Sequence, residues 1–213
     1  MSTILHVNAS PRGGNSKSLA LAEAFLRARL DRVPEAELDV WNLFEEPLPP
    51  FAANGAAAKV AAVKGAEPVD DEATAWAEAR AVFDRFASAD EYVFNVPMWN
   101  HGVPYVLKQW IDLITQPGWV FGFHPEHGYS GLLQGKRAFV VYTSGVYRTG
   151  GRPGFGSDFH ATFFDDWLRF VGISDVTDLY FSGNDLVRPG ENAFEELQDR
   201  ARELAGQPDL GVR

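Results

Sequence analysis

Three stretches of this chain gather residue types able to bind and orient a small molecule. The first, Asn8-Ala9-Ser10-Pro11-Arg12-Gly13-Gly14-Asn15-Ser16-Lys17-Ser18, mixes hydroxyls, amides and glycines between an apolar run at 4–7 and a helix-forming run at 19–26. A strand, a loop and a helix start in that order offer free backbone N–H groups, side-chain donors and a positive dipole end, and the natural guest is a phosphate. Aligned on Ser16-Lys17-Ser18, the P-loop pattern G-x-x-x-x-G-K-[ST] finds Pro11 and Ser16 where it needs glycine, which disfavours triphosphate chemistry. The dinucleotide fingerprint G-x-G-x-x-G is absent as well. A hydroxyl-rich cup for one terminal phosphate is left, and the same residues would equally serve as a plain helix cap.

The second stretch, Pro97-Met98-Trp99-Asn100-His101-Gly102-Val103-Pro104, is a stiff turn that presents Met98 and Trp99 as an apolar wall and Asn100 as donor and acceptor. A flat heteroaromatic ring suits that wall. The third, Thr143-Ser144-Gly145-Val146-Tyr147, adds a small hydroxyl and a glycine where backbone can approach a ligand edge.

These stretches need elements to hold them. Hydrophobic periodicity predicts helices over 17–30, 71–89, 104–114, 158–171 and 191–205, with Pro104 in a first turn, and strands over 4–7, 36–43, 92–96, 138–142 and 176–181. The Ala-rich segment up to residue 64 is too weakly patterned for more than loop with some helix, and 117–133 reads as a loop. Strand and helix alternating five times predict one α/β domain over 1–213, a flavodoxin-like three-layer sandwich. Its five-stranded parallel sheet runs in the order 2-1-3-4-5 with helices on both faces. In that order the loops after the first, third and fourth strands lie side by side.

Composition narrows the chemistry. The chain has 213 residues, 46% of them hydrophobic, a formal net charge of -10 and no cysteine. Nucleic acid and anionic membrane surfaces are therefore poor partners, and disulfides, thiolate nucleophiles and iron–sulfur clusters are excluded, so redox work needs an organic cofactor. Met1-Ser2-Thr3 opens into a strand without a basic leader or long apolar run, and a cytoplasmic location is expected.

Taken together, Ser10 with Ser16-Lys17-Ser18, Pro97-Met98-Trp99-Asn100 followed by Val103-Pro104 and Leu107-Lys108, Gly135-Lys136, Ser144 and Phe170-Val171-Gly172-Ile173 resemble the FMN-dependent NADH azoreductase and quinone reductase family of the flavodoxin-like fold. The resemblance spans nearly the whole chain. It implies tightly but non-covalently bound FMN, NADH or NADPH as electron donor, quinone or azo acceptors, ping-pong two-electron transfer and a homodimer. By the same resemblance Ser10, Ser16, Lys17 and Ser18 meet the phosphate and ribityl chain, and Pro97, Met98, Trp99, Asn100 and His101 line the ring. Ser144, Gly145, Val146 and Tyr147 take the pyrimidine edge, while Phe121, Phe123 and a neighbouring chain's Trp167 roof the substrate pocket. Three departures stand out: Trp99 where Tyr is commoner, His101 where Phe is usual, and Gly145-Val146-Tyr147 in place of a more Gly-rich run.

Other residues invite chemistry without matching it. His124-Pro125-Glu126-His127 has the composition of a metal pair, but Pro125 and Gly128 break the helical face a zincin motif requires, so a solvated loop and no metal are expected. Asp165-Asp166 with His160 reads as a polar helix face, and Trp167 is equally at home in a core. His101 borders the expected ring and could donate a hydrogen bond to bound substrate, though transfer of this kind tolerates solvent as proton source. Arg12, Arg148 and Arg152 could meet a nicotinamide nucleotide's phosphates, and no spacing rule selects among them. Two competing classes are an FMN electron carrier without NADH turnover and a non-flavin α/β binding module.

Overall fold

The computed structural model describes residues 2–145, 154, 156–183 and 192–207. Chain order runs β1 (Thr3–Asn8), α1 (Lys17–Leu30), β2 (Glu37–Asn42), α2 (Ala53–Val63), α3 (Asp70–Ala87), β3 (Glu91–Pro97), α4 (Tyr105–Ile114), β4 (Phe121–His124), β5 (Gly128–Gly131), β6 (Arg137–Ser144), α5 (Ala161–Val171), β7 (Asp175–Ser182) and α6 (Ala193–Leu204). Five parallel strands form one sheet in the order β2-β1-β3-β6-β7, the predicted 2-1-3-4-5 arrangement once the separate β4–β5 hairpin is set aside.

Mostly apolar runs make β1, β3 and β6 the central strands, because parallel strands covered by helices on both faces leave room for polar residues only where they find partners. On one face α3, α4 and α5 close over Trp110, Phe86, Phe94 and Phe164. On the other, α1 and α6 pack around Phe25, whose ring stacks on Phe139 at 3.8 Å. No helix among the described residues is long and apolar enough to cross a membrane.

Three expectations are revised, and a fourth, some helix in the Ala-rich segment, is made definite. The segment 117–133 is not a plain loop: it holds the antiparallel β4–β5 hairpin. The Ala-rich segment contains α2. Pro104, with ψ of 144°, stands before the first turn of α4 rather than in it. The helix expected from 158 begins at Ala161, because the Asp158 carboxylate accepts from the backbone N–H groups of His160 and Ala161 at 3.0 and 2.9 Å and so caps the helix instead of joining it.

Two ladder bonds continue past the strand ends and fasten the three expected loops to one another. Ala9 N–H donates to Asn95 O at 3.2 Å, and Met98 N–H to Thr143 O at 2.7 Å.

Candidate cofactor site

The loop after β1 is shaped by its own side chains. Ser16 is the N-cap of α1, its Oγ accepting from Leu19 N at 3.2 Å, and lies 3.1 Å from the Ser18 hydroxyl. A short turn at Gly13–Asn15 folds the loop back, with Ser16 N donating to Gly13 O. Ser10, Ser16 and Ser18 are all buried, and no acid occupies the first turn of α1. Hydroxyls and the first-turn N–H groups of Lys17 and Ser18 therefore converge where the dipole is positive, a donor set suited to a phosphate monoester. Lys17 departs from expectation in one respect: its ammonium lies over the Phe194 ring, 4.1 Å from the centroid. That leaves its backbone N–H at the loop.

Beneath the cup runs a buried polar chain that the sequence reading did not single out. Asn95 Nδ2 donates to Asn8 Oδ1 at 2.7 Å and approaches Ser18 Oγ at 3.4 Å, while Asn8 Oδ1 also accepts from Ser10 N at 3.0 Å. These bonds make Asn95 Oδ1 an acceptor, so His6 Nε2, 2.8 Å away, is the protonated nitrogen. The signal was present: His6 and Asn95 are single polar residues inside otherwise apolar strands, where burial demands a partner. Burial pushes the His6 imidazole below its ordinary value of 6.5, against the opposing pull of its Asn95 bond and of Glu23. Below about pH 6.5 the unfolded chain thus takes up a proton that the folded chain refuses, and stability falls with pH in that window. His6→Gln keeps a donor for Asn95 without titrating. Its melting temperature should fall less than the wild type's from about pH 7 to about pH 5, the other groups cancelling in the comparison.

After β3 the chain makes a two-bond turn. Trp99 N donates to Gly102 O at 2.9 Å and Gly102 N to Trp99 O at 3.0 Å, with Asn100 and His101 at φ of 47° and 71°. Both central residues in the left-handed region define a hairpin turn that Asn tolerates and His adopts against preference, the kind of backbone outlier that clusters at functional sites. Asn100 and His101 are consequently exposed, Met98 and Pro97 are half-buried, and the His101 carbonyl accepts from Phe159 N at 3.2 Å. The Trp99 ring leans toward Phe44 and Tyr105, with centroids 6.0 and 6.5 Å away, so part of the expected wall turns toward α4.

The loop after β6 begins with Ser144, whose Oγ is 3.4 Å from that of Ser182, and with half-buried Gly145. Val146, Tyr147, Arg148 and Arg152 lie outside the described residues. A cavity of about 230 Å³ flanks this loop, lined in part by Tyr142, Asp158, His160 and Tyr180. His160 is buried, donating from Nε2 to Val96 O at 2.8 Å, which anchors the start of α5 to the end of β3. The adjacent carboxylates of α5 diverge as expected, but Asp165 is no solvated face: it accepts from Tyr142 OH at 2.5 Å, and burial raises its pKa.

Phe121, Phe123 and Trp167 are not gathered beside these loops. Phe121 packs on Phe170 at 5.1 Å, and the hairpin is joined to the end of α5 by a Leu133 N to Val171 O bond of 2.9 Å. Since α5 runs from the carboxyl ends of the strands back toward their amino ends, Phe170, nine residues past Ala161, lies about 14 Å along the helix from the site. Phe123 projects from the hairpin, 63% exposed, against Tyr129. Trp119, from the same segment, packs instead on Trp76 and Phe83. Trp167 is buried in its own chain among Phe86, Trp110 and Phe164, its indole N–H donating to Thr115 Oγ1 at 3.0 Å. One side of it borders a groove of about 530 Å³ between α4 and α5, which Phe163 and Phe170 also line. Phe170 joins that groove to the hairpin, a position its sequence pattern does not reveal.

A parallel sheet in this order, with a hydroxyl cup after its first strand and two further loops converging on the same end, is the architecture of flavodoxin-like proteins. The profile of the family described as flavodoxin-like fold matches residues 2–205, and the chain belongs to that family. Within it, the chain is similar to the FMN-dependent NADH:quinone oxidoreductase of Ruegeria pomeroyi, 47% identical over 177 residues that cover 83% of this chain and 87% of that protein. It is 36% identical over 209 residues to FMN-dependent NADH:quinone oxidoreductase 2 of Burkholderia lata, covering 96% of this chain and 99% of the relative. Among solved structures, an azoreductase from Bacillus anthracis superposes with a TM-score of 0.82 at 26% identity, covering 96% of this chain and 97% of that one.

Proposed function

We propose that this chain is a cytoplasmic FMN-dependent NAD(P)H oxidoreductase that reduces quinones and cleaves azo compounds by a ping-pong cycle, acting as a homodimer. The observation that carries the reading is the buried Ser10–Ser16–Ser18 cup at the start of α1, free of acids in its first turn and tied by the strand ladder to the Met98 and Ser144 loops. Relatives and a structural neighbour bearing quinone reductase and azoreductase names support it.

The residues fit FMN by their chemistry. Ser10, Ser16, Ser18 and the backbone of Lys17 would hold the phosphate, Pro97 through His101 would line the ring, and Ser144 to Tyr147 would meet its pyrimidine edge. FMN bound there would supply two-electron hydride exchange between a nicotinamide and an acceptor. The turn from Met98 would line one side of the ring, which favours donor and acceptor entering one after the other rather than together. His101, exposed at the rim, is suited to donate a hydrogen bond to the acceptor.

A dimer is supported by geometry that one chain leaves incomplete. Aromatics that would roof the site are attached to the far end of α5, out of reach of their own cup. A two-fold axis perpendicular to α4 and α5 would set the α4–α5 groove against its copy and carry Phe121, Phe123 and Phe170 of each chain over the other's loops. Sedimentation as a monomer with full activity would remove this arrangement.

Denaturing the purified holoprotein and identifying the released flavin tests the cofactor, and FAD or no flavin after reconstitution would overturn it. Turnover with NADH and a benzoquinone should give parallel double-reciprocal lines, with quinone competing against NADH. Intersecting lines would mean that both substrates fit at once.

A further inference from the structure

We propose that the tip of the β4–β5 hairpin is a metal site in which His124, Glu126 and His127 take one zinc ion per chain. The sequence discouraged this reading because no helix can run through Pro125 and Gly128, yet a turn brings donors together as effectively as a helix face does. His127 N donates to His124 O at 3.2 Å, closing a four-residue turn, and Gly128 at φ 76° returns the chain into β5, where it pairs with His124. Across that turn the two imidazoles lie nearly parallel, centroids 4.6 Å apart at 19°. One donor atom from each of His124, Glu126 and His127 falls within 4.8 Å of the others.

The donor set selects the ion. Two imidazole nitrogens with one carboxylate match the three-protein-ligand sets of zinc sites that keep a fourth position for water, whereas calcium and magnesium require oxygen throughout. Zinc bonds of about 2.0–2.2 Å place neighbouring donors roughly 3.3 Å apart in a tetrahedron, so the cluster must contract by about 1.5 Å. All three side chains are exposed on a turn and can rotate to do so without disturbing a core. Contraction would break the bond from Glu126 N to His124 Nδ1 at 3.2 Å, and water can replace that exposed partner. The ladder beneath the turn, Phe123 opposite Tyr129, holds the two histidines on one base. An ion there would cross-link the turn and stiffen the hairpin.

Untagged full-length protein, stripped with chelator and exchanged into a non-chelating buffer, should bind zinc chloride at one ion per chain in calorimetric titration. Changes outside the first coordination shell already cost zinc sites about 10–100-fold, so Glu126→Gln and His127→Gln should each weaken binding by about tenfold or more. The H124A/H127A double variant should abolish it. Zinc should also slow hydrogen exchange at residues 121–131 in the wild type alone. Absence of zinc binding, or equal binding by the wild type and both single variants, overturns the site. The single variants decide the matter even if the double variant folds poorly, and flavin identity does not enter the measurement.

Discussion

Ser16→Asp should leave the protein unable to retain FMN at concentrations that fill Ser16→Ala. The aspartate is a good N-cap and favourable toward the helix dipole, so α1 and the apoprotein should keep their stability. What changes is the occupant of the positive site. Ser16 is 4% exposed and 3.1 Å from the Ser18 hydroxyl, so a carboxylate there would face a bound phosphate almost without intervening water. At about 4 Å and an effective dielectric of about 20, each pair of like charges costs about 4 kcal/mol, roughly a thousandfold in affinity. Ser16→Ala loses one hydrogen bond to a charged group, about 1.5–3 kcal/mol, and part of a cap. Fluorescence titration of the apoproteins with FMN separates the two, and melting curves without FMN verify that the aspartate variant is folded. Equal affinities would place the phosphate elsewhere.

Among the described glycines, Gly131 should tolerate the added methyl group of Gly131→Ala least. A Cβ at Gly131 would meet Gly172 N at 2.3 Å, Gly172 Cα at 2.5 Å and Val171 C at 2.6 Å, all backbone atoms that no rotamer change can move. Gly172 is itself fixed, closing α5 at φ 105° with its neighbour Ile173 bonded back to Leu168 O. Either the hairpin lifts off α5 or the helix end yields. Ordinary overpacking costs about 1–3 kcal/mol, and a backbone-to-backbone clash belongs at or above the top of that range. For a chain of this size that is roughly 6–12 °C of melting temperature. On the proposed roof role of Phe121 and Phe123, which travel with the hairpin, quinone turnover should fall further than FMN content does. A variant that melts like the wild type would show that the contact relaxes freely.

How far the sequence could be read varied with the kind of signal. The bounds of α1 were legible because a serine cap and a clean change from strand to helix pattern coincide at Ser16 and Lys17. The order of the sheet followed from alternation and handedness. The β4–β5 hairpin was not legible, since its strands are four residues each, contain glycines, and lack an alternating face. The α2 helix was obscured by alanines that carry propensity without pattern. At the site, hydroxyls and the Pro97–His101 turn were recognisable by residue type, whereas the His6–Asn95–Asn8 chain depends on a register, Asn8 opposite Asn95, that only the folded sheet supplies. Nor can a linear sequence tell which end of α5 its aromatics reach. The roof of Phe121, Phe123 and a neighbouring chain's Trp167 rests on the family resemblance alone, and within one chain Phe121 packs on Phe170 while Trp167 lies buried among Phe86, Trp110 and Phe164.

That helix has a reach with a consequence for how the molecule could respond to its ligands. His160 pins the start of α5 to Val96 at the end of β3, and Val171 and Gly172 pin the hairpin to its other end. This eleven-residue helix is thus fastened at both ends, to β3 at one and to the hairpin at the other. In a two-fold pair, each such helix would have its head in one chamber and its foot in the other. A ligand that displaced His160 by a fraction of an ångström would shift the lid of the opposite chamber by a comparable amount, giving the two flavins a mechanical path by which filling one alters the fit of the next.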